Sequence, residues 1–221
     1  MVVLATKVYV GGSARERALD GLNSMVADVL AGLEVDWEIG LRDDDFPSVT
    51  LSGPDDVAAR NLLREEWGEI TPHLEEGSVH VGTLESWDED GFVLDAGREV
   101  RIPADQLGLG QGSPDQIRTR FGLVQHLPLS FVAGDPPRLA DDQRDALYEW
   151  TRGTGRLNVN SATRSEVRAT INRAGHADDI VTVERLGLLE HSVVCREGTD
   201  PPGLLASVGE YLPAELLCVV P

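Results

Sequence analysis

Lysine is almost missing from this chain: Lys7 is the only one, and the other eighteen basic side chains are arginine. Cysteine is nearly as scarce, and Cys195 and Cys218 can supply neither a disulfide framework nor the usual four-ligand zinc site. No run approaches the ~18 apolar residues that a membrane helix needs. The opening Met1-Val-Val-Leu-Ala-Thr-Lys7 lacks the basic start, long apolar stretch and cleavage site of a signal peptide. These absences predict a soluble, cytoplasmic protein with no membrane partner. The five histidines, His73, His80, His126, His176 and His191, form no His-Glu-x-x-His pair and stand at no metal-ligand spacing from the cysteines. No metal and no cofactor is expected, and no catalytic constellation is found. His191 and Cys195 would share one face of a strand but lie about 13 Å apart, too far for a base to activate a thiol.

What is present is acid. The 221 residues carry 38 acidic and 19 basic side chains, a net charge of −19. Carboxylates, twenty of them Asp, hold water and hydrated cations where lysine would bring an apolar stem and a positive head. We read this as halophilic adaptation to a salt-rich cell interior. At molar salt the screening length is about 3 Å, so diffuse attraction is nearly abolished and only short-range contacts survive. Distribution then matters more than the sum. Residues 1–95 hold six basic and 21 acidic side chains, and residues 176–221 hold two and eight. Residues 96–175 hold eleven arginines against nine acids, a belt of net +2. Such a belt is the footprint of an anionic partner bound through guanidinium forks. The alternative is that these arginines pair with the chain's own carboxylates.

The length suits one to three compact units. Val2 to Val10 reads as a strand, and Ser13 with Glu16 as a capping box opening a helix that carries Leu19, Leu22, Val26, Val29, Leu30 and Leu33. Strands at 35–41 and 48–51 and a helix after Pro54 complete most of a split βαβ order. Three short strands follow at 79–85, 91–95 and 99–102, then a Gly-rich loop from Gly108 to Gly112, a helix capped by Ser113, and a strand at 127–132. A linker helix carries Leu139, Ala146, Leu147 and Trp150. The remainder spells a full βαββαβ: strand 156–159, a helix capped by Thr163 and Glu166, strands 180–184 and 188–195, a helix after Pro201-Pro202, and strand 216–220. The expected fold is α+β, with two ferredoxin-like (βαββαβ) sandwiches flanking a small OB/S1-like β-barrel. Its units are 1–72, 73–135, a linker helix at 136–155, and 156–221.

Two patches could meet an anion. The loop holding Gly110 and Gly112 feeds a helix carrying Arg118 and Arg120, which joins free amides to guanidinium groups. Arg164 and Arg168 lie on one face of the helix after Thr163. The segment Gly77-Ser-Val-His80-Val-Gly82-Thr-Leu-Glu-Ser-Trp87, with Gly91-Phe92-Val93-Leu94 and Arg101-Ile-Pro103, resembles the opening of the S1-type OB-fold domain of RNA-binding proteins. That resemblance implies an exposed, base-stacking Phe92 with Trp87, His80 and Arg101 around it.

Over nearly its full length the chain resembles an archaeal family of conserved proteins of unknown function, domain-of-unknown-function family 2110. The residues that carry the likeness are Gly53-Pro-Asp-Asp-Val-Ala-Ala-Arg60-Asn61-Leu-Leu-Arg64-Glu-Glu-Trp67-Gly68, Arg120-Phe121-Gly122-Leu123-Val124-Gln-His126-Leu127-Pro128-Leu129 and Arg185-Leu-Gly187-Leu-Leu-Glu190-His191. The likeness implies an archaeal cytoplasmic origin and transfers no activity. Three functions stay open. The first is a non-enzymatic RNA or ribonucleoprotein-binding protein, using Trp87, Phe92, Arg101, Gly110, Gly112, Arg118, Arg120, Arg164 and Arg168. The second is a protein-interaction or small-molecule-sensing module forming a homodimer through its C-terminal sheet. The third is an enzyme on a phosphorylated substrate, which would need a carboxylate and His126 gathered beside the glycine loop.

Overall fold

A computed structural model describes residues 1–221. Apolar alternation and helical periodicity build a mixed α/β molecule of six helices and three antiparallel sheets. The first unit runs β1 (Val2–Val3), α1 (Gly12–Val29), β2 (Asp36–Leu41), β3 (Pro47–Ser52) and α2 (Asp56–Trp67), with sheet order β1-β3-β2. An isolated bridge from Leu4 to Glu69 adds a rudimentary fourth strand beside β1. Ala18, Leu22 and Val26 of α1 and Ala59, Leu63 and Trp67 of α2 bury one helical face each against the sheet. The strand expected over Val2 to Val10 is only two residues long, because Lys7 and Tyr9 turn away to meet the other units. Ser13 does not cap α1: the N-cap is Gly11, with no side-chain bond, and Ser13 accepts a hydrogen bond from Arg17 within the helix.

The middle unit runs β4 (Val79–Asp88), β5 (Gly91–Asp95), β6 (Glu99–Pro103), α3 (Pro114–Phe121), β7 (Pro128–Val132), β8 (Arg138–Leu139) and α4 (Asp141–Arg152). Its sheet has the order β6-β5-β4-β7-β8 and curls into a half-barrel that brings the outer strands β6 and β8 together. Phe92, Leu94, Ile102, Leu129 and Phe131 fill the interior, and Leu139 and Leu147 attach α4 to that same core. Ser113 makes the expected capping box with Gln116.

The last unit runs β9 (Arg156–Val159), α5 (Arg164–Arg173), β10 (Ile180–Arg185), β11 (His191–Cys195), α6 (Pro201–Gly209) and β12 (Leu216–Val219), with sheet order β10-β11-β9-β12. Thr163 and Glu166 form the expected capping box. Leu157 and Val159 face α5 and α6, whereas Asn158 and Leu217, one residue out of phase, face the middle unit. The sheet face left free by α5 and α6 is therefore occupied by α3: Asn158 Nδ2 donates to the Gly122 carbonyl at 2.8 Å, and Val219 packs on Gly122. That face is covered by the chain's own middle unit. No helix is long and apolar enough to cross a membrane.

Candidate functional site: the arginine belt, the three-unit seam and an open strand edge

Six of the belt's eleven arginines pair with acids in three dimensions. Arg101 pairs with Asp88 at 2.8 Å, Arg118 with Glu215 at 2.6 Å, and Arg156 with Glu184, so three of its arginines find acids outside residues 96–175. Arg138 and Arg144 share Asp141, and Arg152 holds Glu149. Phe92 is fully buried, so the base-stacking role implied for it is lost to the barrel core. The face of Trp87 is covered by the Arg118 guanidinium, 3.8 Å from the ring centroid, and its Nε1 donates to Asp115 at 3.0 Å. Arg118 itself is buried and also donates to the Leu123 carbonyl at 3.1 Å. Arg120 donates to the Gln111 and Leu109 carbonyls at 2.9 and 2.7 Å, so the loop of Gly110 and Gly112 is clasped around an arginine instead of an anion. Arg164 donates to the Val183 carbonyl at 2.8 Å, whereas Arg168 is exposed. Of the nine expected residues, Trp87 and Arg118 are brought together, Arg120 is held by the loop of Gly110 and Gly112, Phe92 is buried, Arg101 pairs with Asp88, Arg164 with a carbonyl, and Arg168 stands alone.

The chemistry the sequence hid lies where the three units meet. Lys7 is buried, its Nζ 3.1 Å from Glu85 and 2.7 Å from Asp95. Burial alone would lower its pKa, but these two carboxylates raise it above the usual lysine value. Burial likewise works to raise Glu85, yet the close approach of His126, the hydrogen bond from Thr83 and the charge on Lys7 hold it at about 2. The His126 ring lies 3.9 Å, centroid to centroid, from that of Tyr9, with Nδ1 3.2 Å from Glu85. Tyr9 donates its hydroxyl proton to Glu190 at 2.6 Å and accepts from the Ser161 amide at 2.9 Å. Glu190 is wholly buried, and burial pushes it up to about 8. Burial holds neighbouring His191 down at about 4, helped by the positive charges of Arg164 and Arg185.

Two of the three non-glycine residues with positive φ, His126 and Ser161, belong to this seam. A carboxylate and His126 do meet, but the carboxylate is Glu85 and its company is Lys7 and Tyr9, so the phosphate-loop enzyme gains nothing from it. Further contacts close the seam between the outer units: Arg17 pairs with Glu166 at 2.8 Å, and Arg185 pairs with Glu66 while its guanidinium stacks 3.9 Å over Trp67. The overlooked signals were polar residues set in apolar runs: the lone Lys7 within Val2 to Val10, and Glu190-His191 between Leu189 and Val193. Cys195 is a core residue whose thiol burial pushes up to about 11.

One surface feature remains without an internal partner. β4 pairs with β7 from Val79 to Thr83, but with β5 only from Thr83 onward. The opposite edge of Val79–Val81 opens into a cleft of about 510 Å³ walled by Asn61, Arg64, Glu65 and Glu69 from α2 and its end. Val79 is 61% exposed there, and His80 Nε2, at the same place, is buried with no hydrogen-bond partner.

Three α/β units fastened by a buried polar seam define a three-domain protein of one continuous architecture. The chain belongs to the DUF2110 family: models of its N-terminal, central and C-terminal domains match residues 1–73, 74–151 and 154–220. None of the curated proteins matches it.

Proposed function

We propose that this chain is a protein-interaction module that accepts an extended segment of another protein along the free edge of β4. The observation that carries the reading is the one-sided pairing of Val79–Val81 beside an open cleft. Strand addition draws its affinity from main-chain hydrogen bonds and its selectivity from pockets for alternate side chains. The RNA reading needs free guanidinium forks gathered on one surface; Arg101 and Arg118 are committed to carboxylates and Arg120 and Arg164 to carbonyls, which leaves Arg168 alone, so we do not carry it further. Of the two protein-level readings open from the sequence, interaction is kept and moved from the C-terminal sheet to β4.

We infer as well that the terminal units are ferredoxin-like and the middle unit OB-like. In support, β10-β11-β9-β12 is the order 2-3-1-4 within its unit, and the bridge at Glu69 extends β1-β3-β2 toward that same order. The order β6-β5-β4-β7-β8, with its outer strands in contact, is that of a five-stranded Greek-key barrel.

The test is a selection of random dodecapeptides displayed on phage against the full chain, each selected peptide then being titrated against a Val79→Pro variant. Proline at 79 removes an edge N–H while leaving the bonds to β7 in place. Selected peptides should lose most of their affinity for the variant at unchanged Tm. Peptides that bind wild type and variant alike would remove the proposal.

A further inference from the structure

The identity of the occupant rests on the reading just given, and the cleft's own charges specify it. We propose that the cleft between α2 and β4 receives an extended, basic segment of a partner protein, laid as an added strand against Val79–Val81. The backbone is set for it. The Ala133 amide donates to the Ser78 carbonyl at 3.0 Å and the Leu84 amide to the Leu127 carbonyl at 3.0 Å, so the even-numbered residues of β4 bond toward β7. By antiparallel alternation, the N–H and C=O groups of Val79 and Val81 point the other way, into the cleft.

The walls select charge. Arg64 is already neutralised by Glu69 at 2.9 Å, and Glu69 also takes Arg60 at 2.7 Å. Glu65 on α2 and Glu75 on the loop before β4 are exposed lining residues and enter no ion pair. Arg60, Arg64 and Glu69 together keep one positive charge, and Glu65 and Glu75 outweigh it, so the cleft offers two unpaired carboxylates for contact pairing with lysine or arginine and none for a phosphate. Only two of its eleven lining residues are hydrophobic, Val79 and Val81. An amphipathic helix would find no apolar groove in which to settle. An extended chain needs none, because three residues span about 10 Å and take their bonds from the strand edge.

Two other sheet edges, β2 and β10, are protected. β2 carries exposed Asp36 and Glu38 along its length. The outer strand β10 has its Val183 and Ile180 carbonyls taken by Arg164 and Arg196, at 2.8 and 3.0 Å. Charged and covered edges of this kind block unwanted pairing. Val79–Val81 carries no charged side chain and no arginine takes its carbonyls; only the Val81 side chain is covered, by the cluster that holds Ile70.

The experiment uses the full chain and three fluorescein-labelled heptapeptides that alternate threonine with lysine, glutamine or glutamate, read by anisotropy at the lowest KCl at which the chain stays folded. The Lys–Thr peptide should bind at least tenfold more tightly than Gln–Thr, and Glu–Thr should not bind. A Glu65→Gln, Glu75→Gln double variant should reduce Lys–Thr affinity to that of Gln–Thr. A Lys–Thr peptide N-methylated at alternate residues should lose binding, a control that asks nothing of the protein's folding. Equal affinity for Lys–Thr and Gln–Thr would overturn the basic occupant and leave the strand edge standing. Undiminished binding of the N-methylated peptide would mean adsorption to an acidic surface and overturn both. Failure of all three heptapeptides would overturn the basic occupant, and the phage selection then decides the edge separately.

Discussion

Arg118 shows how a charge that reads as a ligand contact becomes a structural one. Its guanidinium lies between the Trp87 face, the Leu123 carbonyl and Glu215, joining the middle unit to the last. Arg118→Ala leaves Glu215 unpaired at that joint and uncovers Trp87. Breaking such a largely buried pair from one side should cost about 3 kcal/mol in urea unfolding. Arg168→Ala, on an exposed face, should stay within about 0.5 kcal/mol. If the two variants melt alike, the seam role of Arg118 is wrong. Both are arginines of the same belt, and nothing in their local sequence separates them; Glu215 lies 97 residues from Arg118.

At the scale of elements, legibility followed the range of the determining interaction. The capping boxes at Ser113 and Thr163 are settled within four residues, and both were readable. Ser13 carries the same short pattern with Glu16, yet α1 begins at Gly12 and encloses it, because the preceding residues turn to place Tyr9 in the seam. Thr163→Ala should therefore cost about 1 kcal/mol, while Ser13→Ala should be close to neutral. Equal costs in chemical denaturation would restore the discarded cap. Strands β5 and β9 sit where alternation put them, at Gly91–Asp95 and Arg156–Val159. The two-residue β8 was missed, since so short a strand has no period to detect. The candidate site was less legible still. The exposure of Phe92 and of the arginine forks depends on which face another unit covers, and the gap beside Val79–Val81 depends on where β5 stops pairing.

The whole molecule joins its units through ionisable groups, so its stability must respond to salt and to pH. With a net charge of −19, raising KCl from about 0.2 M to about 2 M should raise Tm by screening self-repulsion; a flat or falling Tm would contradict the salt-adapted reading of the arginine-for-lysine bias. The pH response separates into windows. Glu190, raised from 4.5 to about 8, keeps a proton in the folded state that the unfolded chain has released, so stability falls as pH rises through that range. His191, lowered from 6.5 to about 4, acts oppositely: the unfolded chain binds the extra proton, and stability rises with pH from about 4 to 6.5. Each slope approaches about 1.4 kcal/mol per pH unit when one proton differs. The two cancel between about pH 4.5 and 6.5, and the Glu190 loss stands alone from 6.5 to 8. Below 4.5 Glu85, held at about 2, adds an acid loss as it is protonated in the unfolded chain first. Glu190→Gln keeps an acceptor for Tyr9 and removes the titration. It should abolish the decline between pH 6.5 and 8 and expose the rise that His191 produces below it. A variant that still loses stability from pH 6.5 to 8 would show that the buried acid joining the first and last units is not what titrates there.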